Sequence, residues 1–268
     1  MEMTESLPLI KFDNVSKSYL SADGTPKKVL HHFNLSLSGN TTVSIVGSNG
    51  VGKSTLLSLV ARFIEPDEGT VEVNGNSEDA PRIGFVWQDY RASLFPWYTV
   101  KDNILVPSRF GNLGDSVSEE CVADLLSTFL PDVDPRRFVH ELSGGQQQLV
   151  SLIRSAVLKP DIFLLDEPFS ALDQFRRWEL LKHTEALCHR SNSLALFVSH
   201  DIDEAILAGD QIIVMDRKYE TGFQLIRNSL PRPRTMEMLT SQEHIRCRNE
   251  VLSSLFESKD TSLKGRQS

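Results

Sequence analysis

The chain has 268 residues, 40% of them apolar and 24% charged, with a formal net charge of −8. That is enough for one large α/β domain with a small appendage, and the balance is that of a globular chain rather than a disordered or fibrous one. The acidic surplus argues against a general affinity for nucleic acid, which favours a basic surface, and no apolar run approaches the length of a membrane span. Cys121, Cys188 and Cys247 are scattered and odd in number. They fit reduced thiols better than a disulfide framework, and none has metal-ligand spacing with a histidine. Met1-Glu2-Met3-Thr4-Glu5 is acidic and lacks a signal-peptide core, so a cytosolic setting is expected.

In chain order, Phe33, Leu35 and Leu37 alternate with polar neighbours, the period-2 signal of a half-buried strand. Ser21 to Pro26 is a turn cluster before it. A short apolar strand, Val43 to Val46, then runs into Gly47-Ser48-Asn49-Gly50-Val51-Gly52-Lys53-Ser54, and a helix-forming run from Thr55 to Arg62 leaves it. This is a phosphate-binding loop in the setting such a loop requires. The glycines let the chain curl so that successive N–H groups point at phosphate oxygens, and the helix presents its positive end to the same anion. Lys53 is placed to reach the β- and γ-phosphates, and the Ser54 hydroxyl to ligate Mg²⁺.

Pro66 to Gly69 reads as a turn, Thr70 to Val73 as a strand and Asn74-Gly75 as a further turn. From about Val100 to Phe138 the pattern becomes helical, with Cys121, Val122, Leu125, Leu126 and Phe129 on one face. Three uninterrupted apolar strands follow, Ile162 to Leu165, Leu194 to Val198 and Ile212 to Met215, separated by helices Arg176 to His189 and Asp203 to Leu207. Strands apolar on both faces belong inside a parallel sheet covered by helices. Leu230 to Arg234 reads as stiff and extended. Beyond it a helix from Ser241 to Phe256 is expected, with Ile245, Val251, Leu252 and Leu255 inward, and then a frayed polar end.

Two further segments carry chemistry. Ile162 to Leu165 delivers Asp166 and Glu167 to the end of a buried strand. In a phosphate-loop enzyme the first carboxylate holds Mg²⁺ and its water, and the second is placed to polarise an attacking water. Leu142-Ser143-Gly144-Gly145-Gln146 precedes a helix expected from about Gln147 to Leu158. Its glycines free backbone N–H groups at a helix N-terminus, a second anion site, although Ser143 there also suits ordinary helix capping. One chain has no need of two loops for one phosphate, so the economical explanation is a head-to-tail dimer in which each second site closes on the partner's ATP.

Together these segments resemble the nucleotide-binding subunits of ABC transporters. Gly47 to Ser54 resembles the Walker A motif, Leu142 to Gln146 the signature, Ile162 to Glu167 the Walker B motif and Ser170-Ala171-Leu172-Asp173 the D-loop. The resemblance implies that His200 is the switch histidine on the γ-phosphate, that Gln88 links Mg²⁺ and water to a membrane partner, and that Tyr19 stacks on adenine. Taken alone, Tyr19 and His200 equally suit packing. The resemblance spans roughly residues 9 to 216.

What it implies is an α/β P-loop NTPase cassette: a mixed, mainly parallel sheet core, an N-terminal antiparallel β subdomain and an inserted α-helical subdomain. The cassette is expected over residues 1–216, with the insertion at about 90–160, and a C-terminal extension over 217–268. ATP and Mg²⁺ are the implied cofactors. They are held by Tyr19, the loop residues Gly47, Ser48, Asn49, Gly50, Val51, Gly52, Lys53, Ser54 and Thr55, and by Gln88, Asp166 and the signature residues Ser143, Gly144, Gly145 and Gln146. Ser54, Gln88 and Asp166 are the metal ligands, and Glu167, His200, Lys53 and Gln88 the catalytic set.

Leu94 to Ile104, with Phe95-Pro96-Trp97 at its centre, is similar to a segment of importers for nitrate, sulfonate, taurine, bicarbonate or thiamine precursors, as is Arg232-Pro233-Arg234. Phe95 to Trp97 reads either as an exposed aromatic knob for a membrane partner or as a buried Trp cluster. The implied partners are a second ATPase subunit, a separate permease and, indirectly, an extracytoplasmic solute-binding protein; nucleic acid is not among them. The implied location is the cytoplasmic face of the cell membrane. A lipid-trafficking or export ATPase, or a soluble non-transport ABC ATPase, stands as the alternative. Two departures from the family pattern stand out: Gln147-Gln148-Leu149-Val150 replaces the usual Arg-Gln-Arg-Val, and Trp87 stands where Phe is common.

Overall fold

A computed structural model describes residues 9–21, 24–75, 80–110, 117–169, 172–216, 218–219 and 221–256. In chain order its elements are β1 (Ile10–Leu20), β2 (Pro26–Leu37), β3 (Thr42–Gly47), α1 (Lys53–Val60), β4 (Glu68–Val73), β5 (Ile83–Val86), α2 (Tyr90–Ser93), α3 (Val100–Phe110), α4 (Glu119–Phe129), α5 (Gly144–Ala156), β6 (Ile162–Asp166), α6 (Gln174–Ser191), β7 (Leu194–Val198), α7 (Ile202–Ala208), β8 (Gln211–Met215), β9 (Phe223–Arg227) and α8 (Gln242–Phe256). The chain forms two compact units, residues 1–74 with 196–268, and residues 75–195.

In the first unit β2, β1 and β4 make an antiparallel sheet. Phe33, Leu35 and Leu37 point inward from β2, as their alternation requires. β3 pairs parallel with β8, and β8 antiparallel with β9, so this sheet is mixed. Ile212 to Met215 are buried on both faces because α8 packs on β8, while α1 and α7 pack on β3. The expected boundary at 216/217 therefore falls between two paired strands. β9 has no clean alternation: Ile226 is buried and Leu225 is exposed.

The C-terminal helix forms, and of the expected inner face Val251 is buried while the rest of the stripe is carried by other residues. Ile245 is 48% exposed, and Leu252 and Leu255 are half-buried, whereas His244, Cys247, Val251 and Ser254 face inward. Those four follow the i, i+3, i+7, i+10 spacing of one helical stripe. The segment before it is held by a buried arginine rather than by stiffness alone. Arg234, 3% exposed, donates to the carbonyls of Leu230, Leu207 and Gly209 and pairs with Asp210 at 3.1 Å. The polar end after Phe256 lies outside the described residues.

In the second unit β5 and β6 pair in parallel, and Ile162 to Leu165 are fully buried. Most of its helices, α2 to α5, lie between β5 and β6. α5 packs against α2, α3 and α6. α4 is capped by Ser118 and buries Val122, Leu125, Leu126 and Phe129, leaving Cys121 only half-buried. α5 starts three residues earlier than the sequence suggested. Ser143 caps it and Gln146 bonds back to the cap, so Gly144 and Gly145 lie inside the first turn. α6 is capped by Asp173 and ends at Asn192 in the left-handed conformation.

Candidate nucleotide site

The first unit carries the phosphate loop. Val43, Ile45 and Val46 anchor β3 in the core, and the chain then turns through Gly47 (φ 157°), Gly50 (φ 73°) and Gly52 (φ 121°). Two of these glycines are also demanded by space. A Cβ on Gly47 would lie 2.5 Å from the Met215 carbonyl oxygen, and one on Gly52 2.8 Å from Val29. Lys53 is 6% exposed, and its ammonium donates to the Gly47 and Ser48 carbonyls at 2.9 and 3.2 Å. It thus ties the start of the loop to the first turn of α1 and braces the curl. Ser54 is exposed in the first turn of α1. Thr55 Oγ1 donates to the hydroxyl of Tyr19 at 3.4 Å, which brings these two predicted residues together; Tyr19 is 43% exposed.

His200 is exposed at the turn into α7. That turn is fixed on both sides of it. Ser199 Oγ bonds the Glu204 carboxylate and accepts from the Asp201 N–H at 3.0 Å, and Asp201 caps α7 through the Asp203 and Glu204 N–H groups.

The second unit carries the carboxylates. β6 ends at Asp166, and Glu167 follows with φ 45°, unusual for a residue with a side chain. The Gln88 amide donates to Glu167 Oε2 at 3.2 Å, so two predicted catalytic residues meet directly. Asp166 joins Gln88, Trp87 and Ser93 around a cavity of about 450 Å³. A second cavity, about 550 Å³, brings Gln88 to Gly144 and Gly145. At Gly145 an added Cβ meets nothing within 4 Å. Gln147, where the family pattern has arginine, donates to the Val139 and Leu142 carbonyls at 3.0 and 3.1 Å and ties the signature turn down. Trp87 lies against Phe85, with ring centroids 4.1 Å apart. Of the expected D-loop, Leu172 and Asp173 are described and Ser170 and Ala171 lie outside the described residues.

The knob is exposed, not a buried cluster. Trp97 is 65% exposed, and Phe95 and Tyr98 flank it at ring-centroid distances of 5.6 and 6.3 Å. Sequence reasoning missed what holds it. Asn103, fully buried, accepts from the Phe95 N–H at 2.9 Å and donates to the Phe95, Tyr98 and Thr99 carbonyls. The only available signal was a polar residue at a core position of a helix. Also missed were Phe138, 43% exposed, and His140 stacked on it, which bonds the Pro96 carbonyl.

Residues 30–170 match the family model described as ABC transporter. The aliphatic sulfonates import ATP-binding protein SsuB of Bacillus cereus is 34% identical, over 91% of this chain and 94% of its own length. The bicarbonate transport ATP-binding protein CmpC of Synechocystis sp. is 32% identical over 93% of this chain, though over 38% of its own. Among solved structures, the dimeric ATP-binding cassette MJ0796 in a post-hydrolysis state bound to ADP and Pi superposes with a TM-score of 0.68 at 28% identity, covering 81% of this chain and 98% of that one. A glycine loop braced by its own lysine, a strand-end glutamate engaged by a glutamine, and matches of this extent agree: this chain belongs to the ABC transporter family.

Proposed function

We propose that the chain is the ATP-hydrolysing subunit of an importer, working as a head-to-tail pair on a separate permease to take up a small anion of the sulfonate, nitrate or bicarbonate kind. One observation carries the pairing. α5 opens on Gly145 with no neighbour where a side chain would stand, in a unit that has no phosphate loop of its own. A helix start so open is suited to an anion brought by another molecule. The names of the sulfonate and bicarbonate relatives and the dimeric cassette support the same reading.

In this reading ATP is the substrate. Tyr19 stacks on adenine, and the N–H groups from Ser48 to Thr55 cradle the phosphates. Lys53 reaches the γ-phosphate, and Ser143, Gly144, Gly145 and Gln146 of the second copy complete the site. Glu167 takes the proton of the attacking water, and the Gln88 amide holds its carboxylate in place. His200 contacts the γ-phosphate and loses that contact on hydrolysis, which lets the pair reopen.

The candidate ligands for Mg²⁺, Ser54 Oγ, the Asp166 carboxylate and the Gln88 amide oxygen, are all oxygen donors. That set fits a hard cation which takes one or two carboxylates plus substrate phosphates. Gln88 gives its amide nitrogen to Glu167, so its amide oxygen would be the atom left to hold the ion. When bound, the ion offsets the negative charge that develops on the phosphoryl oxygens. Gln88 and the knob at Phe95, Pro96 and Trp97 pass the motion to the permease, at the cytoplasmic face of the membrane, with an extracytoplasmic binding protein delivering the solute. Nucleic acid has no part in it.

Glu167→Gln tests this. Turnover of ATP should fall by roughly 10²–10⁴-fold, and ATP with Mg²⁺ should convert the purified variant to a dimer in light scattering. A variant that stays monomeric, or that hydrolyses at the parent rate, overturns the proposal.

A further inference from the structure

Behind the phosphate loop, within the first unit, lies a cavity of about 470 Å³ whose charged lining the nucleotide chemistry does not use. Its apolar lining includes Leu30, Phe33, Val51 and Met215, and its charged lining is Lys28, Lys218 and Asp216, with His31 beside them. The Lys218 ammonium is buried and has no hydrogen-bond partner among the described residues; it lies over the Tyr219 ring, 5.1 Å from the centroid. A buried, unbonded ammonium is costly, and a fold that keeps one next to a cavity of ligand size has a place for an acceptor. Tyr219 is itself a fixed wall, its hydroxyl bonded to Gln224 Oε1 and the Ser254 carbonyl at 2.8 Å each.

Charge and lining select the ligand. Two lysines against one aspartate leave a single positive charge in excess, which matches a monoanion better than a phosphate ester dianion. The apolar walls require a hydrocarbon body, which nitrate and bicarbonate lack. We propose that this cavity binds an organic monoanion, a carboxylate or sulfonate with an apolar body, its head on Lys218 and its body against Phe33 and Val51. Its charged residues, Lys28, Lys218 and Asp216, all lie outside the predicted nucleotide set. Yet Val51 belongs to the phosphate loop, and Val29 and Leu30 press on Gly52, so an occupant bears on the loop's rear. The inference leans on the proposed function only in taking the loop's front as the nucleotide face.

The test is calorimetric titration of the full chain with sodium hexanesulfonate and sodium hexanoate, with and without saturating Mg-ATP. Saturable binding of either anion at one site is expected, not displaced by nucleotide, with no binding of hexylammonium and far weaker binding of hexanol. Lys218→Met should raise Kd about tenfold or more, while Lys218→Arg keeps affinity near the parent's. Unchanged Mg-ATP binding by Lys218→Met shows that it is folded; should it fail to fold, the comparison of anion, alcohol and ammonium decides alone. Absence of saturable binding, equal binding of hexanol, displacement by Mg-ATP, or indifference to Lys218→Met would each overturn the proposal. Because binding is read without turnover, its failure leaves the ATPase reading standing, and a chain without ATPase activity leaves the cavity test intact.

Discussion

Both glycine-rich turns of this chain open a helix, yet their glycines answer to different masters. In the phosphate loop Gly47 and Gly52 have positive φ and are walled in by Met215 and Val29 of their own unit. In the signature turn Gly145 lies in an ordinary helical first turn with open space around it. The first pair is explained by the fold that surrounds it. Gly145 is not, since nothing in its surroundings calls for the missing side chain, and the backbone access it leaves is what the proposed pairing would use.

Substitutions can break that contrast. Gly47→Ala should cost the most, about 3 kcal/mol from strain and overpacking together, read as a lowered midpoint in denaturant unfolding. Asn103→Ala should cost about 2 kcal/mol, because it leaves the Phe95 N–H without its acceptor in a buried place. Gly145→Ala should change stability by less than about 0.5 kcal/mol, since alanine favours a helical turn, while blocking ATP-dependent pairing. Were Gly145→Ala to unfold the chain as Gly47→Ala does, the contrast would disappear.

The smallest effect expected is one of pH. Burial works against the Asp210 charge, but the Arg232 guanidinium, the Thr42 N–H and the charges of Arg232 and Arg234 outweigh it and hold its carboxyl below the usual range. A depressed carboxyl stabilises the fold above its unfolded pKa, and that contribution is lost as pH falls through the folded value. Wild type should therefore exceed Asp210→Asn in thermal midpoint at neutral pH, and the gap should close on acidification below about pH 4. A gap that persists there would place the role of Asp210 in shape rather than charge.

The sequence made the chemistry legible where a motif has to be local. Gly47 to Ser54 and Ile162 to Glu167 are contiguous because one turn and one strand end build each of them. It was less informative where a contact is distant or a side chain is used against type. The inner stripe of α8 has a helical period, but it is carried by His244 and Ser254, which hydropathy counts as polar, so the reading moved to the exposed Ile245. Arg234 reads as a surface cation until the Leu207 and Gly209 carbonyls, far upstream in the chain, are brought to it. β9 escaped notice because a five-residue strand with an outward Leu225 carries no period.

The fastening of the aromatic segment by Asn103 separates its support from its surface. One inward amide fixes the course of the main chain from Phe95 to Thr99, and Trp97 contributes nothing to that fastening. The outer ring is thus a replaceable tip on a permanent handle. Substitution of Trp97 can therefore change the exposed face while the course of the main chain stays as Asn103 holds it.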